Sequence, residues 1–452
     1  MRIGLRGAAV GLVLAACAGT ASDEFPSSRV APTVTTSTVT TSTVATSTVG
    51  ETLGERSACP VLPKGTPWQA GRPTQAVVLQ EAEGKRPRVE AAVYPHPDYE
   101  GRPWSQWGQG LVLEDGRFLS AIGDHRGEDG NSFVFEYDPH QRVLTPISDV
   151  LSLVPHTDGD WGYGKIHAQM TPGPCSTIWM ATYWGTRRDL QYTDGYRGDR
   201  LFAIDPSGRT IHDLGVLYEE HGVPSLAGSQ DGRLLYAEAA DPARVGAGSF
   251  VAYDTTEGAI VFTDDSDAHV GFRSIAVDSF GRAYYSQGDA SLTVFDPETN
   301  TTSTFAAQIP GEYLRAATAP DANGVVYGVS RDPEVFFALD PEGSVRTLGP
   351  ARAYTTSIAL SDDETEIYSV PDAHGFAWKA GAPLIATDTA TGDERVVVEL
   401  ADLAADGLGL RLGGTYSVAV DGKTVYIGMN AGPLDEPEEG FGEVVLLIVT
   451  LP

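Results

Sequence analysis

A short strand-and-turn motif recurs six times in this 452-residue chain. In each copy an apolar run ends in Asp followed by Pro or Thr, and successive copies lie roughly 40 to 70 residues apart. The six acidic positions are Asp138, Asp205, Asp254, Asp296, Asp340 and Asp388. Because Asp can bind the backbone of the turn that follows it, and Pro fits the second position of such a turn, the motif predicts a hairpin. We assign this hairpin to the third and fourth strands of a repeated four-stranded unit.

Glycine marks a second repeated turn, which we place between the first two strands of each unit. Glycine suits this position because it adopts positive φ freely. The glycines concerned are Gly116, Gly232, Gly281, Gly324 and Gly422. Together the two repeats define six four-stranded units over residues 109–412.

The remaining C-terminal segment, Gly413–Pro452, is short of one strand. Its three predicted strands are Tyr416–Val420, Thr424–Met429 and Glu443–Leu451. Near the N-terminus, Gln75–Glu81 alternates like a strand and can supply the fourth, which would remove exposed edges from the ring. We therefore predict an all-β fold over residues 59–452. It is a seven-bladed β-propeller, closed by an N-terminal strand that joins the last blade. Six or eight blades stay open as alternatives.

The N-terminus has the features of an export signal. Arg2 and Arg6 precede an apolar run at 8–16 that is too short to span a bilayer. The small residues before Cys17 resemble the lipobox of bacterial lipoproteins, which implies lipidation of Cys17 and an extracytoplasmic, membrane-anchored chain. An ordinary signal peptide cleaved nearby is the alternative. Residues 18–58 follow as a Ser/Thr-rich tether without the apolar content of a core.

The net charge limits the classes of binding partner, and the cysteine content predicts a disulfide. A net charge of −30 and a pI near 4.5 argue against nucleic acid, which requires a basic surface. We expect a monomer that contacts the membrane only through its lipid. If Cys17 is lipidated, Cys59 and Cys175 remain, and outside the cytoplasm we expect them to form a disulfide. Two unpaired thiols are the alternative.

Polar residues at the starts of the innermost strands are expected to converge on the propeller axis. Arg273 and Arg315 occupy matching places in successive repeats, and Tyr416 begins the inner strand of the last blade. Lys165 and His167 begin the second blade in the same way, on a predicted strand at 165–170. We predict that these residues bind substrate around the axis. The alternative is that the two arginines pair locally, with carboxylates such as Asp267 and Glu312.

Three loop clusters at the ends of second strands are expected to reach the same region. They contribute His125 from the first blade, His374 from the sixth, and a larger group from the second blade. That group consists of Tyr183, Trp184, Arg187 and Arg188. Each cluster is a weak signal by itself, because an exposed loop histidine is commonly just solvated.

The motifs of the first two blades resemble those of propeller polysaccharide lyases, the ulvan lyases in particular. The similar stretches are Gly-Asp-His at 123–125, Gly-Lys-Ile-His at 164–167, Ala-Thr-Tyr-Trp at 181–184 and Gly-Tyr-Arg-Gly-Asp-Arg-Leu at 195–201. The resemblance implies β-elimination at a uronic acid. His167, Tyr196, Arg197 and His125 would be the catalytic residues. Tyr183 and Trp184 stand where that family leads us to expect a second histidine.

We therefore expect an enzyme that cleaves an acidic polysaccharide or oligosaccharide. Elimination needs a neutralised carboxylate, which arginine can provide, and a base titrating near ambient pH, which histidine can provide. A propeller that only binds a glycan or protein is the main alternative. A metal-dependent lactonase ranks last, because the inner strands carry arginine and hydroxyls rather than an acidic cluster. The sequence leaves open whether a divalent metal binds among the histidines.

Overall fold

The chain forms seven antiparallel sheets, which are the blades of a β-propeller in this computed structural model. The structure describes residues 59–96, 104–184, 195–242, 248–264, 273–436 and 440–452. The predicted all-β class and the seven blades are confirmed. Cys17, Arg187, Arg188 and Asp267 lie outside the described residues, as do the predicted signal peptide and tether.

The first four strands belong to the N-terminal arm, residues 59–93. They are Thr66–Pro67, Thr74–Gln75, Val77–Gln80 and Arg88–Val93 (β1–β4). Blade 1 consists of Leu111–Val112, Phe118–Gly123, Ser132–Asp138 and Val143–Asp149 (β5–β8). Blade 2 consists of Thr171–Pro172, Ile178–Ala181, Arg200–Asp205 and Thr210–Val216 (β9–β12). Blade 3 consists of Leu226–Gly228, Leu234–Ala240, Gly248–Asp254 and Ala259–Asp264 (β13–β16).

The remaining blades follow in chain order. Blade 4 consists of Ala276–Val277, Ala283–Ser286, Leu292–Asp296 and Thr301–Thr304 (β17–β20). Blade 5 consists of Tyr313–Ala317, Val326–Arg331, Val335–Leu339 and Val345–Pro350 (β21–β24). Blade 6 consists of Ile358–Leu360, Glu366–Ser369, Pro383–Asp388 and Glu394–Glu399 (β25–β28). Blade 7 contains Leu410–Asp421, Thr424–Pro433 and Glu443–Thr450 (β29–β31).

Helices are few and short in the described part of the chain. Two 3₁₀ turns lie at Pro174–Ser176 and Ala377–Ala380, and one α-helix, α1, at Ala401–Leu408. The helix buries Ala401 and Ala404 against the apolar layer between blades 6 and 7. Among the described residues we find no helix of the length and apolarity that crossing a membrane requires.

The repeated turns form as the sequence predicts. Each Asp-Pro or Asp-Thr pair lies between the third and fourth strands of its blade. Asp205 shows the reason, because its Oδ1 accepts hydrogen bonds from the backbone amides of Ser207 and Gly208. The glycine turns lie between the first and second strands, and Gly116 has a φ of 81° there.

The ring is closed by a different strand from the one we predicted. β4, not Gln75–Glu81, pairs with β31, and β3 is added outside β4 as a fifth strand of blade 7. The burial pattern gives the reason. β4 is covered on both faces, with Val89 fully buried, whereas β3 has no buried residue and leaves Val77 45% exposed, as suits an edge strand.

The N-terminal arm also binds two other blades. β1 pairs with the outer strand of blade 2, and β2 pairs with the outer strand of blade 1. Ahead of these strands a disulfide joins Cys59 to Cys175, with Cα atoms 5.5 Å apart. The arm therefore runs along the outer edges of blades 2, 1 and 7 before it enters the ring.

Candidate functional site

His167 lies on the propeller axis, because its ring contacts three other blades. Its Nδ1 lies 2.7 Å from the carbonyl oxygen of Pro224, just before blade 3. Its Nε2 lies 2.9 Å from Nη1 of Arg273, at the start of blade 4. Its ring centroid is 6.3 Å from that of Tyr416 in blade 7. Only the centre of the propeller lies within contact distance of blades 2, 3, 4 and 7 together.

The segment that carries His167 is not the regular strand predicted at 165–170. Lys165 makes a single bridge to Tyr183, and the amide of Met170 donates to the carbonyl of Gln109, which leads into blade 1. The ladder of blade 2 begins only at Thr171, directly after the predicted strand. Bonding to the neighbouring blade replaces strand pairing here. Lys165 and His167 face the axis, while Ile166 and Met170 pack in the core between blades 1 and 2.

The hydrogen bonds of His167 define its tautomer. A carbonyl oxygen only accepts, so Nδ1 carries the proton and donates to Pro224. A guanidinium only donates, so Nε2 must present its lone pair to Arg273. Burial lowers the pKa of His167 well below its usual range, and the charges of Arg273, Lys165 and Arg315 lower it further. The imidazole is therefore neutral at physiological pH.

Aromatic rings surround Lys165 and His167. The Nζ of Lys165 lies 4.1 Å from the ring centroid of Trp107 and 5.3 Å from that of Tyr183. Trp107 also contacts the ring of Tyr416 at 4.8 Å and stacks on Phe441 at 5.8 Å. These contacts join residues before blade 1 and within blades 2 and 7. Flat aromatic faces next to cations suit a ligand with both apolar ring faces and negative charge.

His125 joins this group on the blade 1 side. Its ring stacks on Trp107 with centroids 5.5 Å apart, and its backbone holds a φ of 54°, which is uncommon for a residue other than glycine. It is buried, and among the described residues neither ring nitrogen has a hydrogen-bond partner. Burial, and then the charge of Lys165, lower its pKa well below the usual range. His125 is thus a second neutral imidazole with unused hydrogen-bonding capacity.

The opposite side of the axis is built around Arg315. Its Nε donates to the hydroxyl of Tyr354 at 2.8 Å, and its guanidinium lies 5.4 Å from the Tyr354 ring and 5.8 Å from the Tyr416 ring. His374 stands beside this pair, with its ring 4.7 Å from Tyr354 and its Nε2 3.3 Å from the Tyr416 hydroxyl. Arg315 does not pair with Glu312, so local pairing is wrong for this arginine.

We call the residues around the axis the axial cluster. It consists of Trp107, His125, Lys165, His167, Tyr183, Arg273, Arg315, Tyr354, His374, Tyr416 and Phe441. Every blade except the third supplies at least one side chain, either directly or from the segment that leads into it. Blade 3 supplies the Pro224 carbonyl.

Two residues taken from the family resemblance have other roles in the structure. Tyr196 is buried in an aromatic cluster with Trp161, Tyr183 and Trp184, and its hydroxyl donates to Asp199 at 2.8 Å. Burial, followed by the charge of Asp199, raises the pKa of Tyr196 well above its usual range, which makes it a poor base. Arg197 is exposed and donates to the carbonyl of Tyr196.

The sequence analysis missed several functional candidates. Trp107 lies just before the inner strand of blade 1, and no repeat marks it. Tyr354 lies at the predicted start of an inner strand, but nothing in the sequence assigns it a role. Glu238 is a lone acid in the apolar run of β14; it is buried, and burial raises its pKa well above the usual range while Arg273 opposes the shift. A single carboxylate among apolar residues was the sequence feature that could have identified it.

Among the described residues no group of three or more His, Cys, Asp or Glu is arranged to hold a metal ion.

The fold and the site define a class: a seven-bladed β-propeller with a cationic and aromatic axis. Virginiamycin B lyase from Staphylococcus aureus shares the fold. A catalytically inactive variant solved with quinupristin aligns with a TM-score of 0.51 at 9% identity, covering 80% of this chain and 100% of its own. A streptogramin B lyase structure aligns with a TM-score of 0.51 at 11% identity, covering 82% and 100%. At such identities the likeness establishes the fold alone. No protein-family model and no curated protein matches the sequence.

Proposed function

We propose that this protein is a lyase that cleaves an acidic polysaccharide by β-elimination at a uronic acid. The observation that carries the proposal is the pair formed by His167 and Arg273. A neutral imidazole presents its lone pair to a guanidinium, which is the group best suited to bind a carboxylate in bidentate geometry. A base and a carboxylate receptor therefore lie within one hydrogen bond of each other.

The charge distribution supports an anionic ligand. The chain has a net charge of −30, yet Lys165, Arg273 and Arg315 converge on the axis. All three stand close enough to His167 to lower its pKa. A local concentration of positive charge in an acidic protein favours small acidic ligands at that point.

The chemical step follows from the same pair. When the uronate carboxylate binds Arg273, it competes with His167 for the guanidinium and releases Nε2. Nε2 then removes the proton next to the carboxylate, and the electron pair forms a carbon–carbon double bond as the glycosidic carbon–oxygen bond breaks. The leaving oxygen takes up a proton from water. Neutralisation of the carboxylate by arginine stabilises the negative charge that develops in the transition state.

The experiment is incubation of the protein with a panel of acidic polysaccharides while ultraviolet absorbance is recorded. Elimination produces an unsaturated uronate, which absorbs where the substrate does not. We expect the absorbance to rise with at least one uronate-containing polymer and not with a neutral one. Absence of a rise with every uronate polymer contradicts the proposal.

A glycan-binding propeller without activity is the second candidate. It is favoured by one observation, the occupation of His167 Nε2 by Arg273. If this contact persists in the complex, no base is available and the aromatic rings serve recognition only. Binding of a uronate polymer without any unsaturated product would establish this candidate.

We also propose that the protein is exported and anchored through a lipid on Cys17. The disulfide between Cys59 and Cys175 supports an oxidising compartment. Metabolic labelling with a fatty acid, comparing the wild type with Cys17→Ala, tests the anchor. We expect label and membrane association only in the wild type. If neither the wild type nor Cys17→Ala takes up the fatty-acid label, the proposed lipid anchor is wrong.

A further inference from the structure

Arg315 is a buried cation, and none of its contacts with the described residues is to a carboxylate. The residue is 6% exposed, and its Nε is bonded to the Tyr354 hydroxyl. No carboxylate in the described part of the chain lies within ion-pairing distance of it. Its other contacts are the faces of Tyr354 and Tyr416.

Other partly buried arginines of this protein form ion pairs with carboxylates. Arg117 binds Asp115 and Glu136, Arg200 binds Asp213, and Arg282 binds Asp278. Burying a charge is costly unless it is paired, and cation–π contacts offset only part of that cost. A guanidinium in this position is therefore prepared for an anion that the described part of the chain does not provide.

We propose that Arg315, with Tyr354 and Tyr416, forms a second anion subsite, so that the substrate carries two acidic groups. This inference rests on the proposed function, in which Arg273 receives the uronate that undergoes elimination. The second group is a carboxylate or a sulfate ester on a neighbouring sugar, since both are oxyanions that a guanidinium binds through paired hydrogen bonds.

The spacing within the axial cluster fits two adjacent sugars. The ring of Tyr416 lies between His167 and Arg315, with its centroid 6.3 Å from the imidazole and 5.8 Å from the guanidinium. The two anion positions thus flank one aromatic ring. Nε2 of His374, 3.3 Å from the Tyr416 hydroxyl, helps to hold that ring in place.

The test compares oligosaccharides of equal length by titration calorimetry. The ligands carry one uronate, two uronates, or one uronate and one sulfate ester. All proteins carry His167→Ala, so that no ligand is consumed. We expect at least one doubly acidic ligand to bind about 10-fold or more tightly than the singly acidic one, as a charge-assisted hydrogen bond predicts. The doubly acidic ligand that binds more tightly identifies the second anion as a carboxylate or a sulfate ester.

Variants of Arg315 then locate the second group. Arg315→Gln should remove the preference for two acidic groups and weaken the binding of the single uronate much less than that of the doubly acidic ligand, whereas Arg315→Lys should retain part of the preference. The matched control is Arg346→Gln, an exposed arginine on the outer strand of the same blade, which should change neither affinity. Circular dichroism confirms that each variant is folded.

The outcomes separate the two proposals. Equal affinity for all acidic ligands in the parent, or an equal loss for all of them in Arg315→Gln, overturns the second subsite while the proposed function stands. If no acidic oligosaccharide binds, both proposals are wrong. A preference that disappears only in Arg315→Gln supports both.

Discussion

Nη1 of Arg273 donates a hydrogen bond of 2.9 Å to Nε2 of His167 across the axis of the propeller. The donor comes from the start of blade 4 and the acceptor from the start of blade 2, so the bond exists only in the closed ring. Burial and this contact together keep the imidazole neutral, and the contact occupies its acceptor nitrogen. The proposed activity then depends on a ligand that takes Arg273 away from His167.

Replacing His167 tests the assignment of the base. His167→Ala should lower turnover on the order of 10²-fold or more and leave substrate binding largely intact, because a general base contributes to the chemical step. Turnover is measured from the unsaturated product, and binding by calorimetry. His140→Ala, an exposed histidine in a turn of blade 1, is the control and should retain full activity. Unchanged turnover in His167→Ala would make the residue structural.

Replacing Arg273 should have a different kinetic signature. Arg273→Ala removes the carboxylate receptor, so we expect mainly weaker binding, seen as a higher KM. A variant that lowers kcat alone, with KM unchanged, would contradict the receptor role.

The pH dependence of turnover follows from the lowered pKa of His167. A base with a depressed pKa stays neutral, and therefore active, below the usual histidine range, so the acidic limb of the profile should lie below about pH 6.5. Arg315→Gln removes one of the charges that depress the pKa, and the limb should shift to higher pH. A limb that does not move in this variant would exclude an electrostatic influence of Arg315 on the base.

Ring closure by β4 predicts a contrast between two valines. Val89 is fully buried in the closing strand, and Val89→Asp should destabilise the protein by about 3 kcal/mol or more, because the charge has no partner there. Val77, on the exposed edge of the same blade, is the control, and Val77→Asp should cost less than about 0.5 kcal/mol. Urea unfolding of both variants measures the difference. Equal effects would contradict the strand order of blade 7.

The disulfide should contribute measurably to stability. It closes a long loop, with a sequence separation of 116 between its cysteines, so replacing both by serine should lower the free energy of unfolding by about 2–4 kcal/mol. Mass analysis of the non-reduced digest should find the two cysteine peptides linked. Two alkylatable thiols in the purified protein would disprove the pairing.

The repeated turns were predictable from sequence because their chemistry is local. An Asp that binds the next two amides and a glycine at positive φ are both visible within a few residues. The closing strand was not predictable in the same way. The alternation of Gln75–Glu81 resembles a strand more clearly than Arg88–Val93 does, but only the paired partner decides which of them is central.

The axial cluster was predictable only in part. Matching positions in the repeats identified Arg273, Arg315 and His167, because equivalent positions in a ring face the same axis. Trp107 belongs to no repeat, and Tyr354 starts an inner strand without a sequence feature that indicates its role. Tyr196 was assigned by resemblance, although its hydroxyl is bonded to Asp199. Burial raises the pKa of Asp199 to about 7, an environment that no local pattern in the sequence reveals.

The attachment of the N-terminal arm determines how the propeller would carry a mechanical load. Tension on the chain ahead of Cys59 passes through the covalent link to Cys175 and enters blade 2 directly. The strands at 66–93, including the one that closes the ring, lie outside that path. A load on the chain ahead of Cys59 therefore reaches blade 2 without opening the ring. Reduction of the link would transfer the load to β1, whose ladder is only two residues long.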